Sequence, residues 1–204
     1  LTDLYRVVIN PNWILPRRIE KGEVEGKIAE DPDYLEKHNI QRTTLDDGRE
    51  VLIQGAGPDN ALGKVKFLLR DSRAIYLHDT DKRWLFREAR RDFSHGCVRV
   101  ERAEKFARWL LDHDGWDAKE VKQAMKMETT QRGMTLTKPV PLVTEYVTVD
   151  ISAEGDPIFL TDIYKFDKAY EKGTLPPKVK TLWGSPNLRP GWVPRVARKI
   201  VQSW

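Results

Sequence analysis

The sequence predicts a mainly β domain with α-helices, on three observations. Apolar β-like runs punctuated by Gly, Pro and Asp fill residues 51 to 78, a strand-turn-strand pattern occupies 141 to 166, and an amphipathic helix follows the single cysteine. At 204 residues, 40% apolar and 32% charged, the chain suits one main domain with an appended subdomain. No apolar run approaches the ~18 residues of a membrane span, so a soluble, globular product is expected.

Taken in order, the alternation in Leu4 to Ile9 suggests an entry strand, which Pro11 and Pro16 end. Residues 16 to 50 turn polar, hold a helix start at Asp31-Pro32 and finish in the turn Asp46-Asp47-Gly48, which reads as a small inserted subdomain. VLIQ, VKFLLR and AIYLH then read as sheet. From Glu101 to Asp114, Ala103, Phe106, Ala107, Leu110 and Leu111 share one helical face, and Gly115 supplies a left-handed stop. Asp117 with Glu120 resembles a capping box for a second helix through Met127. PLVTEYVTVDIS, the turn Ala153-Glu154-Gly155-Asp156, and PIFLTDIYKF predict a long hairpin supplying two core strands. From Lys172 the chain is basic and proline-rich, with Trp183, Trp192 and Trp204 in what reads as an extended surface tail.

The net charge of +4 is unevenly placed: residues 64 to 108 carry thirteen Lys/Arg against seven Asp/Glu, a bias suited to carboxylate ligands. Neither a recognition-helix pattern nor an aromatic RNA-binding motif accompanies it, which argues against nucleic acid. The first twenty residues lack the layout of a signal peptide and begin without Met, as expected of a processed form or fragment.

The chemistry concentrates in Ser94-His95-Gly96-Cys97-Val98-Arg99, with His78 and Asp79 upstream at the end of an expected strand. A thiol becomes a nucleophile as thiolate, which needs a nearby imidazole or cation, and Cys97 lies close in sequence to two histidines. Gly96 permits a tight turn that can aim the Gly96 and Cys97 N–H groups at one oxyanion. Most lone cysteines are small core hydrophobes, but a polar, Gly-containing, Arg-rich loop hides an apolar side chain poorly. Zinc ligation by His78, His95 and Cys97, with His113 or an aspartate, is the rival reading. The spacing of His95 and Cys97 is not a usual zinc signature, and no second Cys is present. His113 and His38 fit better as cations at helix ends.

Sixteen residues separate His78 from His95, and Ser94-His95-Gly96-Cys97 completes a pattern that resembles the L,D-transpeptidases. GPDNALGKVKFLLR, AIYLHDT, SHGCVRVERAEKFARWLL and TDIYKFD extend the likeness to the long, capped Gram-negative type over roughly residues 1 to 170, with 171 to 204 as a C-terminal extension. The resemblance implies a β-sandwich with a helix after the Cys loop and residues 16 to 50 as a cap or lid. It implies Cys97 as nucleophile, His78 as general base oriented by the Asp79 carbonyl, His95 beside the thiol, and an oxyanion held by the Gly96 and Cys97 amides. Arg99 stands where the motif often has Asn. An arginine there suits a substrate carboxylate, or else pairs structurally with Glu101 or Asp92. Ser94 and Tyr76 are further expected substrate contacts, and Arg91 and Lys82 lie near in sequence.

By the same resemblance the substrates are peptidoglycan stem peptides joined by 3→3 cross-links, no cofactor or metal is needed, and carbapenem β-lactams are covalent inhibitors. An upstream region carrying a membrane anchor would place the enzyme in the periplasm. Two other outcomes stay open at this level: an L,D-carboxypeptidase or hydrolase acting through the same Cys97, and a non-catalytic peptidoglycan-binding module.

Overall fold

The computed structural model describes residues 2–70, 75–94, 96–127 and 132–174. The chain divides into two compact units, Leu1–Glu145 and Tyr146–Trp204. In the first unit the order is β1 (Thr2–Ile9), β2 (Trp13–Ile14), α1 (Arg17–Ile19), a π-helical turn (Glu20–Val24), α2 (Glu25–Glu30), α3 (Tyr34–Lys37), β3 (Ile40–Thr44), β4 (Glu50–Gln54), β5 (Val65–Leu69) and β6 (Tyr76–His78). A 3₁₀ turn (Arg83–Arg87), β7 (Val98–Arg99), α4 (Ala103–His113), α5 (Ala118–Lys126) and β8 (Arg132–Leu142) complete it.

A five-stranded sheet in the order β7-β6-β5-β1-β8 organises this unit. Its ladders are antiparallel except for β6 with β7, a parallel pair that sets Leu77 beside Val98 and His78 beside Arg99. Alternation along the strands sends Val7, Ile9, Val65, Phe67, Leu77, Met134 and Leu136 to one face. There they pack with Ala107, Leu110 and Leu111 of α4 and Val121, Ala124 and Met125 of α5. Phe67 and Leu111 are fully buried, and burying such a side chain is worth roughly 1.5–3 kcal/mol. The stop of α4 and the start of α5 hold as the sequence indicates: Gly115 takes φ +84°, and the Asp117 carboxylate accepts from the N–H groups of Lys119 and Glu120. The β-rich α+β class expected from the sequence is thus the class observed.

A separate three-stranded sheet, β2-β4-β3, carries the inserted segment. Leu15, Ile19, Val24, Ile40 and Leu52 form a second, smaller core with Trp13, Ile28, Tyr34 and Leu35 against it. Because β3 pairs with β4 along Ile40–Thr44 and Glu50–Gln54, residues 16 to 50 share a sheet with the chain on either side of them. Asp31 does cap a turn, accepting from the Asp33 N–H at 3.1 Å, but the helix proper starts later, at Tyr34.

The expected pair of core hairpin strands is corrected. The ladder strand is β8, which pairs with β1 although it contains Pro139 and Pro141. It tolerates them because it is the edge of the sheet, where a missing N–H on the outer side forfeits no ladder bond. The hairpin itself belongs to the second unit as β9 (Val149–Ile151) and β10 (Pro157–Phe159), three residues each and exposed throughout. That unit continues to α6 (Phe166–Glu171), with Tyr146, Tyr164 and Phe166 in mutual ring contact and Asp162 accepting from the Tyr146 hydroxyl. The tryptophans of the predicted tail lie outside the described residues.

Candidate active site

The sheet face opposite the main core gathers the polar residues. With Phe67 and Leu77 committed to the core, their neighbours Lys66, Tyr76 and His78 must point the other way, and Arg99 follows through its pairing with His78. Cys97 enters β7 one residue before Val98, so it arrives alongside Tyr76 at the end of the shortest strand.

His78 is buried, 5% exposed, and its Nδ1 lies 2.5 Å from the Asp79 carbonyl oxygen. A carbonyl can only accept, so Nδ1 carries the proton and Nε2 is left as the free base. Burial is the main cause that pulls the imidazole from its ordinary 6.5 to about 4; the Asp79 carbonyl bond opposes it, and the positive charges of Arg99 and Lys66 assist. At neutral pH the ring is uncharged and can take a proton.

Tyr76 links the group. Its ring meets the His78 ring edge-on at 5.8 Å between centroids, its hydroxyl bonds to the Cys97 sulfur, and it receives the Trp13 indole N–H. Burial first, then negative charge on Cys97, pushes the phenol well above its usual range, so it remains a hydrogen-bond donor. Cys97 is half-buried. Arg99 is half-buried too, with Nε enclosed and without a hydrogen-bond partner among the described residues. The alternative structural pairing of Arg99 is not found among the described residues, and Asp92 is instead paired with Arg90.

Asp79 contributes more than its carbonyl. Its carboxylate is 1% exposed and Oδ2 accepts from the Lys64 N–H at 2.9 Å and the Arg83 guanidinium at 3.0 Å; Arg83 in turn reaches Glu104 on α4 at 3.2 Å. Gly63 packs against this carboxylate so closely that a Cβ would come within 2.5 Å of Oδ2, at a φ of +58°. Gly96 adopts φ +126°, open only to glycine, and its N–H is donated to the exposed Ser94 hydroxyl at 3.3 Å. Arg91 turns to the Glu88 carbonyl and Lys82 is exposed. His95 lies outside the described residues.

Among the participants that escaped sequence reasoning are Lys66, Trp13, Gly63 and Arg83. Lys66 was hidden in an apolar run, where only its alternation with Val65 and Phe67 marks it as facing away from the core.

A buried neutral imidazole, a thiol and an enclosed guanidinium on one sheet face define a cysteine–histidine site. The family model of the YkuD L,D-transpeptidase catalytic domain matches residues 2–159, and the chain belongs to that family. A Haemophilus influenzae protein named "Putative L,D-transpeptidase" is 34% identical over a 181-residue alignment that covers 81% of this chain. The match spans only 36% of that relative, about a third of its length.

Proposed function

We propose that the chain catalyses peptidoglycan L,D-transpeptidation through a Cys97 thioester, in the periplasm. The observation that carries this reading is the uncharged His78, fixed by its Nδ1–H on the Asp79 carbonyl, on the same sheet face as Cys97 and its partner Tyr76.

In the first half-reaction the Cys97 thiol gives its proton to His78 Nε2, and the sulfur attacks the carbonyl carbon of the third residue of a tetrapeptide stem. The oxyanion is held by the Gly96 and Cys97 N–H groups, with Gly96 exchanging its contact to Ser94 for the substrate. The C–N bond breaks, the departing D-Ala amine takes the proton from His78, and an acyl thioester remains. In the second half-reaction the side-chain amine of a diaminopimelate on a neighbouring stem attacks the thioester. It releases a proton to His78, the sulfur departs and recovers that proton, and a 3→3 cross-link results. Arg99, Ser94 and Tyr76 line the donor side. The strained lactam of a carbapenem would be opened by the same sulfur.

Intact-mass measurement after mixing with a carbapenem tests the nucleophile: one adduct is expected on the wild type and none on Cys97→Ala. Incubation with a disaccharide-tetrapeptide tests the acceptor. Dimer supports cross-linking, whereas tripeptide with no dimer makes the protein a hydrolase.

A further inference from the structure

Lys66 stands beside Cys97 with no part in the steps above. On β5 it is in register with His78, which is in register with Arg99, so the three occupy one row across three adjacent strands. The Lys66 side chain leans into the next row: Nζ lies 4.0 Å above the centroid of the Tyr76 ring, the ring whose hydroxyl bonds to Cys97. An aromatic face holds an ammonium in place while leaving its outer hydrogens free to bond. Among the described residues Lys66 has no carboxylate partner; the nearby Asp79 carboxylate is engaged through Oδ2 by Lys64 N–H and Arg83, while its Oδ1 is buried and unbonded. Partial burial pulls its pKa below the usual lysine value, with negative charge on Cys97 opposing. Among the described residues, two cations therefore stand near the thiol without a carboxylate partner, Lys66 on one strand and Arg99, whose enclosed Nε is unbonded, on another.

We propose that Lys66 receives the α-carboxylate of the amino acid on the leaving side of the scissile bond, with Arg99 as the second cation. Lys66 thereby restricts the site to donors with a free carboxy terminus. The inference rests on the transpeptidase reading for the identity of that donor. From the attacked carbonyl carbon, the leaving nitrogen and its α-carbon put the carboxylate about 4 Å away, within reach of an ammonium beside Cys97. The acceptor fits the same place, because the attacking diaminopimelate amine also sits α to a carboxylate. One cation then serves the departing group in the first half-reaction and the entering group in the second.

Two alkylating agents differing only in charge provide the test. Iodoacetamide measures the thiol itself, and iodoacetate adds the attraction of a carboxylate for the cations around it. Lys66→Met is expected to lower the iodoacetate rate about tenfold while the iodoacetamide rate stays within about twofold, and Lys66→Arg is expected to restore most of the loss. Should Lys66→Met not fold, Lys66→Gln carries the same comparison. Loss of both rates in parallel, or of neither, would overturn the proposal. With peptides, the wild type should be acylated faster by a tetrapeptide than by its C-terminal amide, and Lys66→Met should erase that preference. If neither peptide acylates the enzyme, the transpeptidase reading fails, and the alkylation ratio still decides whether Lys66 binds a carboxylate.

Discussion

The depressed basicity of His78 makes the protein's stability depend on pH in a definite direction. An unfolded chain offers a histidine that protonates near 6.5, whereas the folded ring waits until about 4. Between those values the unfolded state holds the extra proton, so stability falls as pH is lowered from about 6.5 to about 4 and is flat on either side. At about 1.4 kcal/mol per pH unit, the full shift from 6.5 to about 4 corresponds to about 3.5 kcal/mol, of which about 3 kcal/mol is already lost at pH 4, where the folded ring is half protonated. The perturbation is His78→Gln, which keeps a polar side chain of similar size and cannot titrate. Urea unfolding of both proteins at a series of pH values isolates the contribution of this one ring, since all other groups are shared. The wild type should lose about 3 kcal/mol more than the variant on going from pH 7 to pH 4. Parallel curves, or a wild type that gains relative to the variant in acid, would refute the assignment of a buried neutral imidazole.

Gly63→Ala should destabilise by about 3 kcal/mol, because its Cβ would collide with the Asp79 carboxylate in a left-handed backbone conformation. Gly48→Ala, at φ +80° in open space, should cost only about 1 kcal/mol, so equal losses in urea titrations would mean that the contact with Asp79 does not matter. If residues 16 to 50 act as a lid, the amides of α1 to α3 should exchange with deuterium faster than those of β1 and β5, since they rest on a small core. Equal protection would count against a lid.

Local signals were readable where local physics decides the outcome. The α4 face, the Gly115 stop and the Asp117 cap each depend on residues within a few positions of one another, and each appears as the sequence indicates. Similarly, the cysteine loop announces itself through composition. Position within a sheet is another matter. Whether Pro139 and Pro141 forbid a strand depends on whether that strand is an edge, and nothing between 132 and 142 says so. The Val149 to Phe159 hairpin carries a core-like pattern yet is exposed, because apolar alternation shows that a face exists without showing what covers it. Lys66 shows the same limit at the site. Its place beside Tyr76 and His78 follows from the β5–β6 register, a pairing between segments that the linear sequence leaves unspecified.

The partner that orients His78 is a main-chain oxygen, where many catalytic histidines lean on a carboxylate. Such an oxygen belongs to every amino acid, so no single substitution at position 79 deletes it; only a shift of the backbone can. It also carries a partial charge where a carboxylate would carry a full one. A ring protonated in mid-reaction would therefore face burial and the positive charges of Arg99 and Lys66 close by, held against them by the carbonyl bond and the charge of the buried Asp79 carboxylate. In the proposed mechanism the imidazolium would be a brief stop, and the fastest way to relieve it would be to hand the proton to the amine that is leaving.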